Sequence, residues 1–338
     1  MSHRTELQDT INDLVDGHRG ILAADESNPT IARRFSAVEV ESSEETRRAY
    51  RQMLLSTEGL EDAIAGVILY EETLRQSDDN GVPLPQLIAT RGIVPGIKVD
   101  KGKGPLPGAP GDMITYGLDG LADRLQGYRE QGARFAKWRE VYPVSDYNPT
   151  PLGLSANAEM LARYAAQCQN EGIVPIVEPE VLIKGDHSIT RSAEVHEQVW
   201  QAVFGALQRH GVVLEYMLLK PSMVTAGQDA ATAPPDQVAE LTLRALRRSV
   251  PLAVPSINFL SGGQAPAEAT ANLNALNQRR ADGLWQLSFS FARALQGPAL
   301  EAWHGKTENV PEAQAALALR ARLSQLAMQG KYAPSMER

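Results

Sequence analysis

Eight short apolar runs alternate with longer helical patterns along this chain, and no other feature of the sequence restricts its fold as much. Strands that alternate with helices form a parallel sheet, and eight of them close a barrel. The pattern predicts the α/β class and a single (β/α)8 TIM barrel over residues 1–338, with an N-terminal helix, a C-terminal helix and a short tail at 331–338 that we expect to be flexible. The runs occupy residues 19–25, 65–70, 92–100, 133–141, 173–180, 214–221, 253–263 and 284–291.

An open, doubly wound sheet is the alternative arrangement of such strands and helices. That fold favours a G-x-G-x-x-G fingerprint after its first strand, and none occurs there. The helical patterns 42–56 and 155–172 both begin with serine, which is a good N-cap. The Gly/Pro-containing stretches 101–112 and 229–236 are predicted to be loops.

Bulk composition disfavours several classes of function. The 33 basic and 41 acidic residues give a formal charge of −8 without a long basic run, so we expect no nucleic-acid partner. The one cysteine, Cys168, lies in a helical pattern and is expected to pack in a protein of a reducing compartment. We expect no signal peptide and no membrane span, because the N-terminus is polar and prolines interrupt the least charged long stretch. These features predict a cytoplasmic protein with no membrane partner.

Polar and charged residues follow the predicted strands at the end where barrel enzymes have their active sites. Each residue alone could be a solvated loop residue, a helix cap or the charged flank of a strand. Together they bring three lysines and three carboxylates to one rim, and opposed charges of this kind are typical of acid–base chemistry. The residues are Asp25, Lys98, Lys137, Arg139, Glu178, Glu180, Lys220, Ser261, Gly262, Gly263, Ser290 and Arg293.

Lys220 ends the apolar run LEYMLLKP and is the candidate nucleophile. A lysine at the end of a strand is most often a surface residue. A lysine rooted in an apolar wall instead loses solvation, which favours the neutral amine, and a neutral amine attacks carbonyl groups to form a Schiff base. Lys137 would favour the neutral form further if it faces Lys220. Neighbouring carboxylates would shuttle protons during that reaction and take a proton from a substrate hydroxyl when a carbon–carbon bond breaks.

Two anion sites are predicted around this rim. The LSGG sequence after the seventh run brings backbone N–H groups close together, with Arg293 opposite, where barrels commonly bind phosphate. Lys98, Arg34 and Thr30 are candidates for a second anion. None of the six histidines lies at a predicted strand end, so we expect neither a metal nor another cofactor.

The motifs GILAADES, GIKVDKG, FAKWR, GIVPIVEPE, LLKP, FLSGGQ and GKY, in this order, resemble class I fructose-1,6-bisphosphate aldolase over about residues 20–334. The resemblance implies a cytoplasmic, homotetrameric (β/α)8 barrel and a metal-independent lyase of glycolysis and gluconeogenesis. It implies reversible cleavage of fructose 1,6-bisphosphate to dihydroxyacetone phosphate and glyceraldehyde 3-phosphate through a Schiff base on Lys220.

The same resemblance assigns roles to the remaining site residues. Glu178 is implied to be the acid/base of Schiff-base formation, and Asp25 to handle the proton of the C4 hydroxyl. Lys137 is implied to tune the site, with Glu180 in support. The implied substrate contacts are Ser261, Gly262, Gly263, Ser290 and Arg293 for the 1-phosphate, Lys98, Thr30 and Arg34 for the 6-phosphate, and Arg139.

The sequence departs from the family pattern in several places. The family's FSYGR is FSFAR here, and DESTGS is DESNPT. Many relatives carry a longer tail that ends in tyrosine, whereas the last tyrosine here is Tyr332, so water or Glu178 is expected to protonate the enamine. The alternatives left open are fructose 1-phosphate or sedoheptulose 1,7-bisphosphate as substrate, a phosphosugar isomerase, and a scaffold that kept the barrel.

Overall fold

The computed structural model of the chain describes residues 3–337. Within this range the β-strands are β1 (Gly20–Ala24), β2 (Ile64–Leu69), β3 (Val94–Lys98), β4 (Lys103–Pro105), β5 (Met113–Thr115), β6 (Phe135–Tyr142), β7 (Val174–Val181), β8 (Leu218–Leu219), β9 (Ser256–Phe259) and β10 (Gln286–Phe291). The α-helices are α1 (Arg4–Leu14), α2 (Asn28–Ser36), α3 (Glu44–Leu55), α4 (Glu71–Leu74), α5 (Leu84–Ala89), α6 (Leu121–Glu130), α7 (Pro151–Asn170), α8 (Ile189–Arg209), α9 (Pro235–Ser249), α10 (Pro266–Arg279), α11 (Arg293–Trp303) and α12 (Val310–Met328).

Eight of these strands close a parallel barrel in the order β1-β10-β9-β8-β7-β6-β3-β2. The longest ladder joins β6 to β7, and β10 returns to pair with β1. Strands in such a barrel are covered on both faces, which explains why their sequences are apolar runs rather than alternating patterns. Every residue of β1, β2 and β7 is buried. The predicted (β/α)8 barrel is therefore confirmed, as are the helices at both ends of the chain.

Helix α1 covers the amino-terminal end of the barrel. Its apolar stripe of Leu7, Ile11 and Leu14 packs in a buried cluster with Phe135, the first residue of β6. The barrel wall is glycine at Gly96 because a Cβ there would lie 2.3 Å from the Phe135 ring. Because this end is filled, the described structure leaves space for a ligand inside the barrel at the carboxyl ends of the strands.

Three local predictions were wrong. Residues 101–112, expected to be part of a plain loop, contain β4, which pairs with β5 as an antiparallel hairpin. Residues 214–216 form a 3-10 helix and leave only Leu218–Leu219 as β8. Helix α7 begins earlier than predicted, at Pro151 with Thr150 as its N-cap, because proline suits the first turn of a helix. Ser155, the predicted N-cap of 155–172, therefore lies inside the helix. The serine N-cap expected for 42–56 is found at Ser43, whose hydroxyl accepts from Thr46 N at 3.0 Å.

The segment after α12 packs against helices α10 and α12. Tyr332 is buried, its hydroxyl donates to Glu337 Oε1 at 2.9 Å, and Arg320 forms an ion pair with Glu337. The expected flexibility of 331–338 stays a prediction, and its last residue lies outside the described range. Within residues 3–337, every helix is too short or too polar to span a lipid bilayer.

Candidate active site

The carboxyl ends of the barrel strands surround a cavity of about 840 Å³. Strands β1, β3, β6, β7, β8, β9 and β10 or the segments that follow them all contribute side chains to it. Every residue predicted from the sequence to belong to the site lines this one cavity. They are Asp25, Thr30, Arg34, Lys98, Lys137, Arg139, Glu178, Glu180, Lys220, Ser261, Gly262, Gly263, Ser290 and Arg293.

Lys137 of β6 lies between two carboxylates at the bottom of the cavity. Its Nζ is 2.7 Å from Asp25 Oδ2 and 3.1 Å from Glu178 Oε2. Asp25 directly follows β1, whereas Glu178 lies in β7, next to β6. The three side chains are nearly fully buried, so their charges are compensated mainly by one another.

Lys220 directly follows β8, and its Nζ lies 3.4 Å from Glu178 Oε1. Its backbone N–H donates to Val177 O at 2.8 Å, which continues the β7–β8 ladder by one residue. The Lys220 side chain is only 4% exposed. Lys220 is therefore a buried lysine that faces the cavity, and the alternative of a surface lysine does not apply.

The pKa values in this cluster favour the charged forms of its core. Burial raises the pKa of Asp25, but the ammonium groups of Lys137 and Lys220 outweigh this effect and hold the pKa well below its usual range. The pKa of Glu178 is lowered for the same reason. Burial lowers the pKa of Lys137, but the carboxylates of Asp25 and Glu178 outweigh it and raise the pKa above the usual lysine value. Asp25 and Glu178 are thus proton acceptors near neutral pH.

Other charges of the site are held in separate ion pairs. Arg139 pairs with Glu180 higher on β6 and β7. Lys98 Nζ lies 2.6 Å from Asp100 Oδ1, and Arg34 pairs with the buried carboxylate of Glu26. These cations are fixed in position before any ligand arrives.

The loop after β9 lines the cavity next to Arg293. Gly262 and Gly263 have φ values of 56° and 95°, which glycine adopts without strain. A Cβ on Gly263 would lie 3.7 Å from Arg293 Nη2 and would fill the space beside that guanidinium. Ser290 Oγ is buried without a hydrogen-bond partner in the described residues, so it has capacity for a ligand oxygen.

Comparison with known proteins identifies the family. The model of the glycolytic, class-I fructose-bisphosphate aldolase family matches residues 6–338. The chain belongs to this family. The resemblance seen in the sequence is confirmed, and with it membership of a family of metal-independent aldehyde-lyases.

Individual relatives agree with the family assignment. The non-muscle-type aldolase of Lethenteron camtschaticum is 51% identical over 98% of this chain and 92% of its own length. The cytosolic fructose-bisphosphate aldolase 6 of Arabidopsis thaliana is 51% identical over 93% of this chain and 88% of its own. The Plasmodium falciparum aldolase, solved in complex with TRAP and a small-molecule inhibitor, superposes with a TM-score of 0.95 at 48% identity, covering 97% of this chain and 95% of that one.

Three basic residues of this aldolase-family cavity were missed by the sequence reasoning. Arg33 of α2, Lys103 of β4 and Lys184 after β7 line the cavity and are exposed. Within residues 3–337 none of them forms an ion pair, in contrast to Lys98 and Arg34. Lys103 could not be placed at the rim from the sequence, because the hairpin that contains it was not predicted. Lys184 lies only four residues after Glu180, so the argument from the strand ends could have included it.

The described part of the chain contains no group of three or more His, Cys, Asp and Glu side chains arranged to hold a metal ion. The cations that line the cavity are instead the side chains of lysine and arginine.

Proposed function

We propose that the protein cleaves fructose 1,6-bisphosphate reversibly to dihydroxyacetone phosphate and glyceraldehyde 3-phosphate, without a metal or other cofactor, through a Schiff base on Lys220. The observation that carries this proposal is the contact of 3.4 Å between Lys220 Nζ and Glu178 Oε1. It pairs a buried amine with a buried proton acceptor inside a cavity that has anion-binding groups on both sides.

The first step is the attack of the neutral Lys220 amine on the C2 carbonyl of the open-chain sugar. Glu178 accepts the proton that the ammonium group loses. It returns a proton to the carbinolamine hydroxyl, which leaves as water and produces the iminium. One carboxylate thus serves both halves of the dehydration, as its position beside Nζ supports.

The second step breaks the C3–C4 bond. Asp25 accepts the proton of the C4 hydroxyl, the C4 oxygen becomes the aldehyde of glyceraldehyde 3-phosphate, and the electron pair of the broken bond moves into the iminium to form an enamine. Lys137, held 2.7 Å from Asp25 Oδ2, keeps Asp25 ionised for this task. After the aldehyde leaves, Asp25 returns its proton to solvent, and a proton from solvent reaches C3 through Glu178 or water. Hydrolysis of the resulting iminium then releases dihydroxyacetone phosphate and restores the Lys220 amine.

Two groups of cavity residues, each containing at least one cation, support a substrate with two phosphates. Arg293, with Ser261, Gly262, Gly263 and Ser290, is proposed to bind the phosphate nearer the carbonyl. Lys98, Thr30 and Arg34, joined by Arg33 and Lys103, are proposed to bind the other, with Arg139 and Glu180 between the two groups. Because both groups are present, a bisphosphate is favoured over fructose 1-phosphate.

The remaining assignments rest on similarity. We infer a single domain over the chain, a cytoplasmic location as in the relative named cytosolic, a role in glycolysis and gluconeogenesis, and a homotetramer by resemblance to the family.

The test is cleavage of fructose 1,6-bisphosphate in the presence of a chelator, measured by coupled oxidation of NADH. Full activity after chelation is expected for the wild-type protein and no activity for Lys220→Met. An active Lys220→Met protein would overturn the Schiff-base mechanism, and loss of wild-type activity on chelation would overturn metal independence. A wild-type protein that does not cleave the bisphosphate would favour the isomerase.

A further inference from the structure

His196 and Ser222 form a buried hydrogen-bonded pair behind the active site. His196 lies on α8 and is 1% exposed, and Ser222 follows Lys220 by two residues and is 5% exposed. His196 Nε2 lies 2.9 Å from Ser222 Oγ, and His196 Nδ1 lies 2.7 Å from Ser192 O. The Ser222 hydroxyl also accepts from the backbone N–H of Val181 at 3.0 Å. Neither His196 nor Ser222 lines the cavity.

The directions of these hydrogen bonds permit one arrangement of protons. The carbonyl of Ser192 can only accept, so His196 Nδ1 carries a proton and donates to it. In a neutral ring Nε2 then has no proton, so it accepts from the Ser222 hydroxyl, which in turn accepts from Val181 N–H. Burial lowers the pKa of His196 to about 4, in agreement with a neutral ring. The His196 ring packs edge-on against Trp200, with ring centroids 5.2 Å apart, and this contact further restricts the orientation of the His196 ring.

The pair lies where the backbone ladder between β7 and β8 has ended. That ladder consists of Ile176 with Leu218 and Val177 with Leu219, and its last hydrogen bond runs from Lys220 N to Val177 O. Within the described residues, no backbone hydrogen bond joins residues 178–181 to residues 221–222. The bond from Val181 N–H to the Ser222 hydroxyl is the next connection between these two segments.

Glu178 lies between these two connections, and Lys220 makes the first of them through its backbone. On one side the Lys220 N–H holds Val177, and on the other the Ser222 hydroxyl holds Val181. A reacting pair at 3.4 Å is sensitive to small movements of either backbone. We propose that His196 and Ser222 are positioning residues, which fix the end of β7 against the segment after β8 and so set the distance between Glu178 and Lys220.

This inference rests on the proposed roles of Lys220 and Glu178, and the test separates the two. The protein is mixed rapidly with dihydroxyacetone phosphate, borohydride is added after increasing times, and the fraction of chains with an adduct on Lys220 is measured by mass spectrometry. Affinity for inorganic phosphate and the melting temperature are measured for the same samples.

Ser222→Ala removes the acceptor for Val181 N–H and is expected to slow adduct formation by about tenfold or more, with phosphate affinity unchanged. Ser222→Thr keeps the hydroxyl and should restore most of the rate. His196→Phe keeps a ring against Trp200 but removes the acceptor that orients the Ser222 hydroxyl, so it should also slow adduct formation. The double variant should be no slower than the slower single one, because the two residues act as a unit.

Thr242→Val is the matched control. The Thr242 hydroxyl is buried and accepts from Val224 N–H at 3.0 Å, which is the same kind of bond two residues beyond Ser222. Thr242→Val should therefore lower the melting temperature without slowing adduct formation on Lys220. A wild-type rate in Ser222→Ala, or equal slowing in Ser222→Ala and Thr242→Val, would overturn the positioning role while the Lys220 mechanism stands. Absence of any adduct on the wild-type protein would overturn the proposed function and this inference together.

Discussion

Lys137 Nζ lies 2.7 Å from Asp25 Oδ2 in a buried ion pair that joins β6 to the end of β1. The pair keeps a carboxylate ionised where burial alone would protonate it. Two of its consequences can be measured without any substrate, namely the stability of the fold and the way that stability changes with pH.

Lys137→Met is expected to destabilise the protein by about 3–5 kcal/mol, because it leaves buried carboxylates without their cation. Urea denaturation at pH 7 measures the loss. The double variant with Asp25→Asn should lose less than the sum of the single losses, since the two residues are in contact.

The same pair predicts a pH dependence with a definite sign. The pKa of Asp25 is lower in the folded protein than in the unfolded chain. Its contribution to the free energy of unfolding is therefore complete above about pH 4 and is lost as the pH falls further. The stability gap between wild type and Lys137→Met should narrow on acidification. A gap that stays constant from pH 7 to pH 3 would contradict the assigned ion pair.

Glu178→Gln is expected to lower kcat by about 100-fold or more with little change in KM, because it removes the proton acceptor beside Lys220. Glu180→Gln is the matched control, since Glu180 contacts Arg139 rather than Lys220. Steady-state kinetics on fructose 1,6-bisphosphate measures both variants. Equal losses in the two would contradict the distinct role of Glu178.

Glu140 predicts a second pH effect that is unrelated to catalysis. It lies on β6 facing away from the cavity, fully buried, and accepts from Trp138 Nε1 at 2.8 Å and from Thr115 N at 3.2 Å. Burial raises its pKa to about 8, although these hydrogen bonds lower it in part. The folded protein therefore keeps a proton that the unfolded chain loses.

Because the folded pKa is raised, this carboxyl costs stability as the pH rises from about 5 to about 8, with a slope of at most about 1.4 kcal/mol per pH unit. Glu140→Gln should reduce this loss of stability with rising pH and should be more stable than the wild-type protein at pH 8. Urea denaturation of both proteins across this pH range measures the difference. Parallel stability curves for the two proteins would show that Glu140 is ionised in the fold.

The two phosphate sites predict selective effects on substrates. Arg293→Ala should raise KM for fructose 1,6-bisphosphate and for fructose 1-phosphate alike, because both carry the phosphate nearer the carbonyl. Lys103→Ala should raise KM for the bisphosphate only, by about tenfold for the loss of one charge-assisted contact. An equal effect of Lys103→Ala on both substrates would place it outside the second site.

The sequence predicted the barrel and the members of the site better than the connections between them. Apolar runs identify strands that are buried on both faces. The strand-end argument placed Lys137, Arg139, Glu178 and Glu180 at one rim, and all four line the cavity. The contact of Lys137 with Asp25 depends on how the barrel closes, which no local pattern contains.

The missed features have physical reasons. Strands β4 and β5 are three residues each and pair only with each other, and β4 lies in a Gly/Pro-rich sequence that resembles a loop. The predicted strand at 214–221 began too early, because the chain enters β8 through a 3-10 turn. His196 carried no signal, because its partner Ser222 lies on a different element and becomes its neighbour only in the fold.

The central claim is that Lys220 forms the covalent intermediate. The most direct test is to incubate the wild-type protein with dihydroxyacetone phosphate, reduce it with borohydride, and determine the intact mass and the modified peptide. The account predicts one added substrate per chain, located on Lys220. A protein that binds the substrate but carries no adduct, or carries it on another lysine such as Lys137, would contradict the account.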